Sequence, residues 1–90
     1  MRVIKLDGRR MDSRVKAYAY LKVELGLPEY FDGNLDALYD CLGELGRVDI
    51  TLSYPDAALN ALGDYGARMI RVFEQAAMGR GDFRFRLLRK

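Results

Sequence analysis

The stretch Asn34-Leu35-Asp36-Ala37-Leu38-Tyr39-Asp40-Cys41-Leu42-Gly43-Glu44-Leu45-Gly46-Arg47-Val48-Asp49-Ile50-Thr51-Leu52-Ser53 passes from leucines at helical spacing to a β-branched run. At 3.6 residues per turn, Leu35, Leu38, Leu42 and Leu45 share one side of a helix, with Cys41 at the border. Asn34 carries the short acceptor side chain that suits a helix start. Burying each leucine contributes roughly 1.5–3 kcal/mol, so such a helix docks firmly. Val48 to Ser53 favours a strand. One helix, running to about Leu45, and one strand are therefore expected.

The same alternation extends outward. Upstream, Met1 to Leu6 is short and apolar-rich, and Asp7-Gly8 marks a turn. Residues 14 to 25 place Val15, Tyr18, Leu21 and Leu25 at helical spacing, with Ser13 as N-cap and Gly26 and Pro28 as stops. Leu27 to Gly33 then reads as a loop. Downstream, Pro55 suits the first turn of a short third helix that ends near Gly63. Residues 65 to 78 form a fourth helix, with Met69, Ile70, Val72, Phe73 and Ala76 on its apolar side. Gly79 and Gly81 end it. Phe83, Phe85 and Leu87 alternate with Arg84, Arg86 and Leu88, a strand with one core face and one basic face. The predicted order β-α-α-β-α-α-β favours helical crossovers. The fold class expected is α/β, a three-stranded parallel sheet with about four helices, in one domain over residues 1–90.

Composition removes several kinds of chemistry. The 90 residues contain no histidine and one cysteine. A metal site is not expected, nor an internal disulfide, and the commonest general base is missing. No cofactor is expected. The start Met1-Arg2-Val3-Ile4-Lys5 lacks the apolar run of a signal peptide, and no stretch approaches a membrane span, so a cytoplasmic chain is expected. A lone cysteine suits a reducing compartment.

The net charge of +2 conceals an asymmetry. From Val23 to Gly46 there are six acids (Glu24, Glu29, Asp32, Asp36, Asp40, Glu44) and no base. On the second helix, Asp36, Asp40 and Gly43 lie opposite the leucines, with Tyr39 and Glu44 at the flanks. Asp36 and Asp40 are one turn apart, with Cβ atoms about 5–6 Å from each other. Their repulsion costs about 0.2–0.5 kcal/mol in a free helix. Asp36 recovers about 0.3–1 kcal/mol from the helix dipole, and Asp40 lies too far along to gain much. A surface tuned only for stability mixes its charges. This face has one sign and is edged by Tyr30, Phe31 and Tyr39, residue types that anchor interfaces. It points to a basic partner. Catalysis by the two carboxylates is not expected, because a working acid–base pair needs different environments and these two share one. The basic tail (Arg80, Arg84, Arg86, Arg89, Lys90) reads as a solvated strand face rather than a nucleic-acid site.

The run from Leu27 to Leu42, Leu-Pro-Glu-Tyr-Phe-Asp-Gly-Asn-Leu-Asp-Ala-Leu-Tyr-Asp-Cys-Leu, resembles the signature of barstar-type ribonuclease inhibitors. In that family a loop of the form Leu-Pro-Glu-Tyr-Tyr enters a helix reading Asn-Leu-Asp-Ala-Leu-Trp-Asp-Cys-Leu. The resemblance implies a non-enzymatic, intracellular inhibitor, monomeric when free, whose second helix and preceding loop plug the basic cleft of a secreted, barnase-like ribonuclease. It implies that Asp40 is the central phosphate mimic and that Asp36 meets a second basic group. Tyr30, Asn34 and Tyr39 would pack around them, with Phe31, Gly43 and Gln75 completing the surface. Tyr39 stands where the family usually has tryptophan, and Gln75 where a glutamate contributes. A barstar-like module with another basic protein as target is the alternative.

Overall fold

The computed structural model describes residues 1–89. Three parallel strands, β1 (Arg2–Asp7), β2 (Val48–Ser53) and β3 (Phe83–Leu88), form one sheet in the order β1-β2-β3. Four helices join them: α1 (Arg14–Leu25), α2 (Leu35–Glu44), α3 (Pro55–Leu62) and α4 (Asp64–Ala77). The α/β class, the parallel sheet and the element order are those expected from sequence. A 3-10 turn over Gly8–Arg10 follows β1.

Register aligns Ile4 with Ile50 and Phe85, and Leu6 with Leu52 and Leu87. This row faces the helices and forms the core with Phe73, Leu21, Leu38 and Leu42. Phe73 of α4 stacks on Phe85 of β3, with ring centroids 5.0 Å apart. The other sheet face carries Val3, Lys5, Arg84, Arg86 and Leu88, all exposed. Parallel sheets are usually covered on both sides; here the alternation of β3 lets one side meet water. Arg86 donates to Asp49 across that open face at 3.0 Å.

Two expectations need correction. Val15 was expected on the buried side of α1 but is 81% exposed. The buried residues are Ala17, Tyr18, Leu21 and Leu25, and the position one turn before Tyr18 in that stripe belongs to Arg14. On α2, Cys41 lies in the core with Leu38 and Leu42, not at its border, whereas Leu35 and Leu45 are only half-buried. They sit at the two ends of the helix and pack against the rim of the core. Leu45 is the C-cap, with extended backbone.

Gly26 ends α1 in the left-handed region, φ 66°, where glycine has no Cβ penalty. The N–H of Leu27 then donates back to the Lys22 carbonyl at 2.9 Å, and buried Leu27 pins the chain before it crosses to α2. Leu42 is fully buried on α2. Leu42→Ala should cost about 2–5 kcal/mol, read as a lowered urea midpoint with an unchanged m-value.

Candidate partner-binding site

The loop from Leu27 to Gly33 is built before the helix it feeds. The Phe31 N–H donates to the Pro28 carbonyl at 3.0 Å, closing a turn. The Phe31 ring meets Tyr18 edge-on, with centroids 5.6 Å apart. Lys22 of α1 reaches the Glu29 carbonyl at 3.3 Å. Phe31 is therefore half-buried and holds the loop to α1, whereas Tyr30 beside it is 77% exposed. Asn34 then caps α2, its Oδ1 accepting from the Ala37 N–H at 2.7 Å. This is the cap expected from sequence.

At the other end of α2 the helix has no basic residue of its own in its last turn. A distant side chain supplies the cation. Arg80, in the segment after α4, donates to the carbonyl oxygens of Leu42 at 3.2 Å and Leu45 at 3.0 Å. It is held in turn by Asp82 at 3.2 Å and lies 5.0 Å from the centroid of Phe83. The guanidinium gives the Leu45 carbonyl a partner, adds a second donor to the Leu42 carbonyl that already accepts the Leu45 N–H, and complements the negative end of the helix dipole. Arg80 was expected in a basic tail; it is turned inward and fastens α2. In that tail Arg86 pairs with Asp49 and Arg89 with Asp56, and Lys90 lies outside the described residues.

Between these two fastenings α2 presents a fixed outward ridge. Asp36, Tyr39 and Asp40 are exposed along it, and Gly43 is exposed near its end with nothing close to its Cβ direction. The ridge packs beside α4. A groove of about 430 Å³ between them is lined by Leu35, Asp36, Tyr39, Asp40, Val72 and Gln75. Thus Gln75, far away in sequence, shares a groove with both aspartates. Tyr30 and Phe31 do not line this groove. Phe31 lines a separate depression beside Arg14, Tyr18 and Lys22. Sequence reasoning missed a second groove, which adjoins the first towards the starts of α2 and α4 and shares Leu35, Asp36 and Asp40 with it. It is lined by Asp32, Asn34, Asp36 and Asp40 on one side and by Arg14, Tyr65 and Arg68 on the other. The signal available was the spacing from Arg14 to Tyr18, which places the arginine in phase with the buried stripe of α1.

Two titrating groups report the local environment. Burial pushes the Cys41 thiol up, and the nearby Glu44 and Asp40 carboxylates push it further, which makes it a poor nucleophile. Burial also raises Tyr18, aided by its hydroxyl–hydroxyl hydrogen bond to Tyr65 and opposed by Arg14 and Arg68.

The fold and this ridge define a small α/β protein with one helix fastened at both ends and displayed outward. The family model described as "Barstar (barnase inhibitor)" matches residues 1–89, and the chain belongs to the barstar family. It is also 35% identical over 80 residues to a Bacillus subtilis (strain 168) protein described as "Putative ribonuclease inhibitor YrdF", a match covering 84% of this chain and 86% of that one.

Arg80→Ala removes both carbonyl contacts and should cost about 1–3 kcal/mol. Amide hydrogen exchange should rise in the last turn of α2, around Leu42 and Leu45, more than in the strands.

Proposed function

We propose that this chain is a non-enzymatic inhibitor that blocks the active site of a ribonuclease with α2 and the preceding loop. The support is family membership together with one structural observation: Asp36, Asp40, Tyr39 and Gln75 line a single groove at the exposed edge of α2. A ribonuclease cleft must be basic to hold RNA, and the ridge presents carboxylates where phosphates would lie. In this reading Asp40 sits at the centre and engages the enzyme's catalytic cations. Asp36 meets a second basic group. Tyr39 and Gln75 flank them on one side, and Asn34 and Tyr30 on the other, with Gly43 giving the enzyme surface room to approach. Phe31 acts indirectly, by holding the loop. The partner is a barnase-type enzyme, and inhibition takes place inside the producing cell, before export of the nuclease.

Rigidity matters to this mechanism. A ridge fixed by buried Leu38, Cys41 and Leu42, an Asn34 cap and the Arg80 clamp loses little conformational entropy on binding. With a net charge of only +2, attraction is local to the ridge, so salt should slow association less than it would for a strongly acidic inhibitor.

Asp40→Ala should weaken inhibition of the cognate ribonuclease by at least about 2 kcal/mol, or about thirtyfold in the inhibition constant. The melting temperature should hold steady, because Asp40 is exposed and unpaired among the described residues. Inhibition assays against a barnase-type enzyme and against ribonucleases from the same organism read the effect. Undiminished inhibition by this variant rejects the role given to Asp40.

A further inference from the structure

The second groove, of about 650 Å³, has two walls of opposite sign. One wall is the N-terminal half of α2 with Asp32 before it, bringing the carboxylates of Asp32, Asp36 and Asp40. The other is Arg14 from the start of α1 with Tyr65 and Arg68 from α4. The Arg14 guanidinium carbon lies over the Tyr65 ring, 3.8 Å from its centroid, and Arg68 approaches the same ring at 5.9 Å. Tyr65 is itself anchored through its hydroxyl to Tyr18, which belongs to the core. The two cations are thus drawn to an aromatic floor on a fixed base.

These charges do not satisfy each other. Among the described residues, no ion pair joins Arg14 or Arg68 to Asp32, Asp36 or Asp40. The contrast within the molecule is informative. Arg9 closes on Asp7, Arg80 on Asp82, Arg86 on Asp49 and Arg89 on Asp56, all at 2.9–3.2 Å. Arg14 and Arg68 make no such pair, although three carboxylates line the facing wall. In the groove, cation–π contact holds the two arginines on their own wall, and donors of both guanidinium groups stay free to take a carboxylate in a bidentate fork.

We infer that this groove is a two-signed docking surface, taking a partner segment that carries a carboxylate beside a cation. The partner's cation meets Asp36 and Asp40, and its carboxylate meets Arg14 and Arg68 over Tyr65. This deepens the reading of α2 as a binding ridge, and rests on it only for the acidic wall. It also gives the net positive charge a use: the arginines reject targets that are purely basic, since such a target would place cations against Arg14 and Arg68. Specificity then comes from matching both signs, not from the acidic ridge alone.

The test uses two small probes, acetyl-Arg-Glu-amide and acetyl-Arg-Gln-amide. Each is titrated into the isotope-labelled chain, and the amide shifts of Asp36, Asp40, Tyr65 and Arg68 are followed. The zwitterionic probe should bind roughly two- to fivefold more tightly than the cationic one, the range that an exposed ion pair supplies. Arg14→Gln with Arg68→Gln should abolish or reverse that preference, and Arg14→Lys with Arg68→Lys should keep part of it. The lysine pair also covers the case in which the glutamine pair fails to fold. A purely acidic ridge gives the opposite order, with the cationic probe bound at least as well. That order, or equal behaviour of the two probes whether both bind or neither does, overturns the inference. A chain that inhibits no ribonuclease but still prefers the Arg-Glu probe keeps the groove and loses only the target.

Discussion

The burial of one side of α2 is the constraint on which the rest depends. Leu38 and Leu42 are fully buried and Cys41 nearly so, which fixes the rotation of the helix about its axis. Once that rotation is set, Asp36, Tyr39 and Asp40 can only point outward. The ends are fixed separately, by the Asn34 side chain at the start and the Arg80 guanidinium at the finish. Loss of the core contact would let the ridge roll, and loss of either end would let it fray. Position and function are therefore coupled through packing and not through any contact between the acidic residues themselves.

Much of this was legible in the sequence because it is local. The leucine phase, the Asn34 cap, the stops at Gly26 and Gly79, and the alternation in Phe83 to Leu88 each lie within a few residues. The family resemblance of the run from Leu27 to Leu42 added the expected roles of the site residues. What escaped was long-range. Arg80 sits between two glycines and reads locally as part of a basic tail; only the return of the chain from α4 brings it under the end of α2. Arg14 and Arg68 are separated by more than half of the chain, and their meeting over Tyr65 depends on the fold bringing the start of α1 near the start of α4. Cys41 looked like a border residue because spacing alone weighs all leucines equally, whereas docking favours the middle of the helix over its ends.

Charge is distributed by place. Acids cluster on and before α2, while arginines occupy the open sheet face, the clamp and the second groove wall. The open sheet face is unusual for parallel strands, and its lysine and arginines keep it wet and discourage edge pairing. The acidic ridge is thus framed by cations instead of standing on an acidic body. Attraction at long range is modest in such an arrangement, and recognition falls to contacts made at close quarters, where a rigid ridge loses least on binding.

The central claim is that a partner meets this protein at the α2 ridge. The most direct measurement is amide shift mapping of the labelled chain during titration with an inhibited ribonuclease. The account predicts that the largest changes fall on Tyr30, on Asn34 to Gly43 and on the facing residues of α4 near Gln75, with the sheet unaffected. Changes concentrated on Val3, Lys5, Arg84 and Arg86, with α2 unmoved, would contradict it.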